Sequence, residues 1–442
     1  MKLKLIAPAV VDEKKRGMQG RAFQLPPLSL ATVAAATPEH VDVEIIDEAI
    51  EPVNYNCDAD MVGVTALTRF APHAYEIADR FKQRGVKVVM GGLHPSALPE
   101  EAIKHCDAVV IGEAEGIWSK LIKDFEKNRL KKFYKNKNFI DLSIVRSPRR
   151  DLFKKERYLF THLIQTTRGC PFNCSFCSVT KFFGRTFRTR PVECVIKEIR
   201  DMKTKFLGFS DDNIFGNRIY ARKLFSVLKY EGVIWMGQSS INIADDSELL
   251  RLAARSGCKG VFIGLESAEC ESLTQMNKGF LKPQKFKDSI ARLHDEGIGI
   301  LGAFVLGNDN EDTSIFQKTL EFAKKIKLDL AQFAILTPYP GTAIYNKLIK
   351  ENRIFNFDWA KYDAGNAVFQ PLKMTAEKLK EEVDKMWREF YRFDEVVLRL
   401  LKLGKRLPVQ ILPLLLLNFS FRKEIAATQN LPSPFTRGWV NA

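Results

Sequence analysis

Three cysteines, Cys170, Cys174 and Cys177, fall within eight residues at the spacing C-x₃-C-x₂-C. A closed structural zinc site takes four protein ligands, and the chain has no second closely spaced cysteine pair to complete one. Thiolates on one tight loop also hold iron–sulfur clusters. Three of them around a four-iron cluster satisfy three irons and leave the fourth open to bind and polarise another ligand. Pro171 stiffens the turn and Asn173 suits an irregular loop. Phe176, between the last two cysteines, is placed to screen such a cluster or to stack on a ring. The competing reading is a zinc site completed by a distant His or Cys.

The loop needs a rigid support, and the flanking pattern supplies one. Residues 162–166 read as a strand leading into the cysteines, followed by a helix at 192–203. Strands at 206–210, 233–236, 260–265, 298–306 and 328–336 then alternate with helices at 218–230, 246–256, 285–296 and 313–326. Six strand–helix repeats predict a barrel or partial barrel, with functional residues where strands pass into loops. Those strand ends carry Asp211-Asp212-Asn213, Gln238 to Asn242, Glu266, Gly307 and Pro338-Tyr339-Pro340-Gly341.

Upstream, apolar runs at 3–7, 41–47, 61–66, 86–91 and 108–112 alternate with helical patterns at 28–36, 71–84 and 115–127. Continuous apolar strands predict a doubly wound parallel sheet covered on both faces, binding ligands at the strands' carboxyl ends. Thr65, Gly91, Gly92, His94, Gly112 and Glu113 stand there. No G-x-G-x-x-G is present, so a dinucleotide site is unsupported. The expected organisation is an α/β domain at 1–130, a basic linker at 131–158, the barrel-like core at 159–345 and a helical extension at 346–442. In that extension 375–403 reads as one long amphipathic helix, followed by a leucine-rich patch at 408–418 and a basic end.

The 442 residues exceed one hydrophobic core, and 45% hydrophobic with 27% charged residues is ordinary for a globular enzyme. The net charge of +15 points to an anionic partner without choosing among nucleic acid, membrane and phosphorylated substrate. Eight cysteines are too few for a disulfide scaffold, and Cys57, Cys106, Cys194, Cys258 and Cys270 read as reduced core thiols. The N-terminus lacks the regions of a signal peptide, so a cytoplasmic setting is expected. The 408–418 patch is short and contains Pro413, which argues against a membrane-spanning helix.

The C-x₃-C-x-aromatic-C loop at the end of a first barrel strand resembles the signature of radical S-adenosylmethionine enzymes. In that family the open iron binds S-adenosylmethionine, and an electron from the reduced cluster cleaves it to a 5′-deoxyadenosyl radical. The resemblance places Asp211, Asp212 and Asn213 at the methionine end, and Gln238, Ser240 and Asn242 at the ribose. Gly260-Val-Phe262-Ile-Gly264-Leu-Glu266 resembles the family's G-x-I-x-G-x-x-E strand, and Leu306 and Gly307 lie where backbone groups meet adenine. Arg168, Arg185, Arg188 and Arg190 flank the loop, and one of them is a candidate partner for the methionine carboxylate. Tyr339 is a candidate gate or hydrogen donor, with packing as its plainer role.

Together with Gly91-Gly-Leu-His94-Pro, Gly112-Glu-Ala-Glu115 and Thr337-Pro-Tyr-Pro-Gly-Thr342, the whole chain resembles the cobalamin-binding branch of the family. That branch includes hopanoid methylases and the anaerobic bacteriochlorophyll cyclase. The resemblance implies a 4Fe-4S cluster, S-adenosylmethionine and cobalamin, the last held by Thr65, Gly91, Gly92, His94, Gly112 and Glu113. One departure is clear: no D-x-H-x-x-G supplies a lower axial histidine, and His73 reads as a surface residue at a helix start. The implied reaction is C-methylation of an unactivated carbon in a lipid or other apolar substrate, with flavodoxin or ferredoxin as electron donor. A non-methylating radical reaction and an RNA-modifying enzyme are the alternatives; the second lacks a β-barrel RNA-binding extension. The amphipathic tail adds an expected peripheral contact with the membrane face.

Overall fold

The strands of the N-terminal region bury most of their residues because both of their faces are covered. Those at Met61–Thr65 and Ala108–Ile111 carry no charged residue, whereas Lys2, Lys4, Asp42 and Glu44 interrupt the two that precede them. In the computed structural model, which describes residues 1–9, 25–158, 160–403, 407 and 410–427, these strands form a six-stranded parallel sheet. They are β1 (Lys2–Ala7), β2 (Asp42–Asp47), β3 (Met61–Thr65), β4 (Lys87–Gly91), β5 (Ala108–Ile111) and β6 (Phe133–Lys135), in the order β2-β1-β3-β4-β5-β6. Leu3 and Leu5 join a core with Leu30, Ala31 and Trp118 on one face. Ile6, Val62 and Val64 join Ile77 and Phe81 on the other. The order reverses between β1 and β3, which opens a crevice at their carboxyl ends.

β6 is a correction to the sequence reading, which gave its residues to the basic linker. It is an edge strand among lysines, a composition that discourages further pairing. Its Tyr134 is buried and donates to Asp124.

The second sheet has the order β14-β13-β12-β11-β10-β7 and is also parallel. Its strands are β7 (Leu163–Ile164), β10 (Phe206–Phe209), β11 (Ile234–Ser239), β12 (Cys258–Glu266), β13 (Gly299–Leu306) and β14 (Leu330–Ile335). β7 and β14 lie at opposite edges, so the sheet is an unclosed, partial barrel. Between β7 and β10, β8 (Thr167–Arg168) and β9 (Arg188–Thr189) pair antiparallel and bracket the cysteine loop. Trp235 anchors the core, with Phe209 at 5.2 Å and Phe225 at 5.1 Å between ring centroids. Two helices absent from the sequence reading, Cys270–Gln275 and Ala343–Lys350, flank the site.

The expected helix at 375–403 is two helices, Ala376–Phe390 and Phe393–Leu403, separated at Tyr391-Arg392. The first covers the β14 edge: Trp387 donates to the Phe333 carbonyl at 2.7 Å and Tyr391 to that of Ala331 at 2.8 Å. A third helix, Ile411–Ala427, runs through Pro413, which its first turn tolerates because an N–H there has no partner to lose. Residues 404–406 and 408–409 of the tail, the basic end beyond 427 and the expected core boundary at 159 lie outside the described residues. Among the described residues no helix is long and apolar enough to cross a membrane.

Candidate functional site

Asp211 secures the root of the cysteine loop. Its buried Oδ1 accepts from the Thr166 hydroxyl at 2.7 Å, the Thr167 hydroxyl at 2.6 Å and the Thr167 amide at 2.5 Å. That carboxylate is therefore occupied in shaping the loop rather than facing a ligand. Gly169 turns the chain with φ +90°, and a Cβ there would collide with the Thr186 carbonyl. The outer part is pinned by Ser175 N–H to the Met276 carbonyl at 3.2 Å and Ile344 N–H to the Ser175 carbonyl at 3.0 Å.

The three thiols are half-buried and free. Burial pushes Cys170 and Cys174 up to about 11 and Cys177 up to about 12. Such thiols ionise readily only against added positive charge, which is what iron brings to a thiolate set. Among the described residues no three His, Cys, Asp or Glu side chains converge as a single metal ion requires. Thiolates spread over several irons need no such convergence. Of the other cysteines, Cys106 and Cys258 are buried as expected, whereas Cys194 and Cys270 are exposed and Cys57 is half-buried.

Asp212, next to Asp211, has the opposite character. Its Oδ2 is shielded from solvent and has no hydrogen-bond partner, as is true of Asn213 Oδ1. Burial, then the Asp211 carboxylate, pushes the Asp212 carboxyl up to about 7. Its charge is felt at Cys170 and Cys177. An unpartnered acceptor beside the thiols fits the ammonium of a bound amino acid.

The four arginines expected near the methionine carboxylate are paired elsewhere or exposed. Arg168 and Arg188 both donate to Glu113, Arg190 is paired with Glu198, and Arg185 is exposed. Lys278, missed in the sequence, is the cation at the thiols. Its Nζ donates to Glu266 Oε1 at 2.5 Å and lies 5.9 Å from the Phe176 ring. Burial lowers its pKa, but Glu266 and then the cysteine thiolates outweigh that and raise it, so the ammonium stays charged. The signal was Met276-Asn-Lys-Gly279, where Asn277 turns left-handed at φ 58° and brings the lysine back to the loop.

Glu266 itself takes φ 67° at a register shift between β12 and β13. Only Leu265 separates it from Gly264, one residue fewer than G-x-I-x-G-x-x-E calls for. Gln238 and Ser240 lie half-buried at the carboxyl end of β11, with the Asn242 carbonyl held by Arg218. The adenine expectation fits less well. The Gly307 N–H donates to Glu311 at 2.8 Å, the Leu306 carbonyl accepts from Leu336 N–H, and a Cβ on Gly307 would approach Leu379.

At the first sheet, Thr65, Gly91, Gly92, Gly112 and Glu113 line one cavity that opens to solvent. Gly92 has φ +99°, and a Cβ there would stand 2.7 Å from the Thr65 hydroxyl. Leu5, Val110 and Trp118 form an apolar floor, while Gln165, Arg168, Phe182 and Phe183 wall it from the second sheet. The Gln165 amide nitrogen is buried and unpartnered. Glycine-lined mouth, apolar floor and one unspent donor suit a large ring system with amide side chains, and the residues fit cobalamin.

Two expected contacts there are corrected. Glu113 is consumed by Arg168 and Arg188 at 2.8–2.9 Å. His94 does not line the cavity: it is fully buried, 3.2 Å from Glu101, which also accepts from Tyr75 and Trp359. His73 sits half-buried near a helix start between Glu48 and Glu76; the hydrogen bond from Glu48 raises its pKa. Among the described residues, none of those lining the cavity is a histidine.

Residues 164–323 match the Radical SAM superfamily and residues 18–122 match the B12 binding domain. The bacteriochlorophyllide d C-12(1)-methyltransferase of Chlorobaculum tepidum is 34% identical over 388 residues, covering 85% of this chain and 84% of that protein. The chain belongs to the cobalamin-dependent radical SAM methyltransferase family. Membership implies a 4Fe-4S cluster, S-adenosylmethionine and cobalamin as cofactors, and an electron donor. A second relative of this radical SAM enzyme, the C-8(2)-methyltransferase of the same organism, is 32% identical, covering 90% of this chain and 92% of its own length. The hopanoid C-2 methylase of Rhodopseudomonas palustris is 25% identical, covering 77% and 67%. The solved radical SAM methyltransferase TsrM of Kitasatospora setae, with tryptophan and a SAM analogue bound, shares the fold at TM-score 0.68 and 17% identity. That match covers 88% of this chain and 83% of TsrM.

Proposed function

We propose that this radical SAM enzyme methylates an unactivated carbon of a large apolar substrate, a tetrapyrrole pigment or polycyclic lipid. One observation carries the reading. The cavity at the first sheet is walled by Arg168, two residues before Cys170, and by Phe182 and Phe183, just after Cys177, so the two cofactor sites adjoin. The relatives that act on bacteriochlorophyllide and hopanoids support the substrate class.

When bound, the cluster supplies the electron that cleaves S-adenosylmethionine, and cobalamin supplies the methyl carrier. Cys170, Cys174 and Cys177 are the cluster ligands. Lys278, steadied by Glu266, binds the methionine carboxylate, and Asp212 Oδ2 accepts from the methionine ammonium. Gln238 and Ser240 serve the ribose. Gly264 leaves room beside Glu266, since a Cβ there would collide with its carboxylate. Thr65, Gly91, Gly92 and Gly112 would cradle the corrin.

The tail supports access to an apolar substrate. Helices Phe393–Leu403 and Ile411–Ala427 expose Phe393, Leu398, Leu401, Leu412 and Leu416, a set suited to the headgroup boundary of the cytoplasmic membrane face. Flotation with anionic vesicles tests this: Leu401→Ser with Leu416→Ser should lose binding, and unchanged flotation would remove the tail's role.

The function is tested by anaerobic incubation of the reconstituted enzyme with cobalamin, S-adenosylmethionine, reductant and bacteriochlorophyllide or hopanoid acceptors. Formation of 5′-deoxyadenosine together with S-adenosylhomocysteine and a product heavier by one methylene is expected. 5′-Deoxyadenosine without S-adenosylhomocysteine would contradict methylation.

A further inference from the structure

The cysteine loop carries an aromatic pair on its outer face. Phe172, between Cys170 and Cys174, stacks on Phe280 at 4.5 Å between centroids and 14° between planes. Phe280 is 40% exposed, so the stack meets solvent although it belongs to the metal-binding loop. The two segments are held in register by Asn277 Nδ2 donating to the Asn173 carbonyl at 3.1 Å and by Ser175 N–H bonding the Met276 carbonyl.

The two segments that carry the pair are one-sided in charge, with Glu193, Glu271 and Asp288 just outside them. Residues 167–192 and 272–287, which meet here, contain no Asp or Glu. Of their cations, Arg168, Arg188 and Arg190 are committed to buried carboxylates and Lys278 to Glu266. Lys181, Arg185, Lys282, Lys285 and Lys287 are exposed and, among the described residues, carry no ion pair. A small apolar centre rimmed by unpaired cations suits a transient encounter with an acidic partner; such interfaces are small and gain rate from charge.

We propose that this face, centred on Phe172 and Phe280 and rimmed by Lys181, Arg185, Lys282 and Lys285, docks an acidic one-electron carrier protein of the flavodoxin or ferredoxin class. The inference rests on the reading of the three cysteines as cluster ligands. In the step served, the carrier loses one electron and the cluster gains it; no bond forms or breaks and no proton moves. Phe172 lies within the ligand loop itself, so a carrier seated on it stands at the short side of the path to the cluster.

The test compares two reductants on the full-length, reconstituted enzyme, reading 5′-deoxyadenosine. In one arm dithionite reduces the enzyme directly; in the other a flavodoxin does, kept reduced by its NADPH-dependent reductase. The triple variant Lys181→Glu, Lys282→Glu, Lys285→Glu should raise the half-saturating flavodoxin concentration about tenfold or more. Its dithionite-driven rate should match the parent's. Phe280→Ser, which keeps the charge, should raise the same concentration. Raising salt from ~0.05 to ~0.3 M should slow the flavodoxin arm of the parent and leave the triple variant little changed, as screening requires. Equal flavodoxin dependence in parent and variants, with dithionite effective in all, would overturn the docking face alone. Loss of single-stranded RNA binding in the triple variant, with flavodoxin dependence unmoved, would reassign the face to nucleic acid. No cleavage by the parent with dithionite would remove the cluster reading and the proposal with it.

Discussion

Arg168 Nη1 donates to Glu113 Oε1 at 2.9 Å, joining the residue that precedes the cysteine loop to the loop that walls the cofactor cavity. Arg188 donates to the same carboxylate at 2.8 Å, and Glu115 takes the other arm of Arg168 at 2.5 Å. Burial pulls the Arg168 pKa down, but Glu115 and then Glu113 outweigh it and raise it, so the buried Arg168 guanidinium keeps its charge. The bridge ties the two sheets where their sites adjoin.

Removing one member leaves a buried charge without its partner. Glu113→Gln should destabilise the protein by about 3–5 kcal/mol, the usual cost of breaking a buried pair. Thermal unfolding checks this, and a shift equivalent to less than ~1 kcal/mol would place the bridge among weak surface pairs.

Lys278 is assigned to a carboxylate of S-adenosylmethionine. Lys278→Met should weaken S-adenosylmethionine binding by about 10- to 100-fold, since a hydrogen bond to a charged group contributes ~1.5–3 kcal/mol. Lys278→Arg should recover part of it. Calorimetry on the cluster-loaded protein decides: unchanged affinity in Lys278→Met would return the lysine to a purely structural pairing with Glu266.

Asp212 gives a pH signature in the cluster-free protein. Its carboxyl is pushed up to about 7, by burial first. The folded state therefore holds the proton at pH values where the unfolded chain, with a carboxyl near ~4, has released it. The contribution to stability is full below about pH 4, falls as pH rises, and is gone above about pH 7. Asp212→Asn cannot ionise, so its melting temperature relative to the parent should rise between pH 5 and pH 8. A constant difference across that range would show that Asp212 is not held neutral by the fold.

The two cofactor sites are separable. Replacing any one of Cys170, Cys174 or Cys177 by Ala should abolish the iron–sulfur absorption of reconstituted protein while cobalamin uptake at the first sheet persists. Retained iron in all three variants would exclude the loop as the ligand set.

Much of this was legible in the sequence, for identifiable reasons. Central strands such as Met61–Thr65 and Ala108–Ile111 announce themselves because burial on both faces makes them continuously apolar or nearly so. The cysteine spacing is local, so no tertiary knowledge is needed to see it. Side-chain direction was not legible. Asp211 and Asp212 are neighbours, yet one turns in to bind Thr166 and Thr167 and the other is left unpartnered. His94 has the chemistry of an axial ligand, but it opens the short helix Leu93–Ala97 and is carried toward Glu101, away from the cavity. Lys278 reaches the thiols only through the left-handed turn at Asn277, which lies more than 100 residues along the chain from Cys174. Three-residue β6 is too short for any periodicity, and the break at Tyr391-Arg392 leaves the amphipathic pattern uninterrupted.

The account depends most on an iron site that three thiolates leave open to S-adenosylmethionine. Low-temperature electron paramagnetic resonance of the anaerobically reconstituted, dithionite-reduced enzyme, recorded before and after adding S-adenosylmethionine, addresses it directly. A reduced 4Fe-4S signal whose g-values move on addition is the predicted result. A signal that does not respond, or a protein that takes up zinc and no iron at Cys170, Cys174 and Cys177, would contradict it.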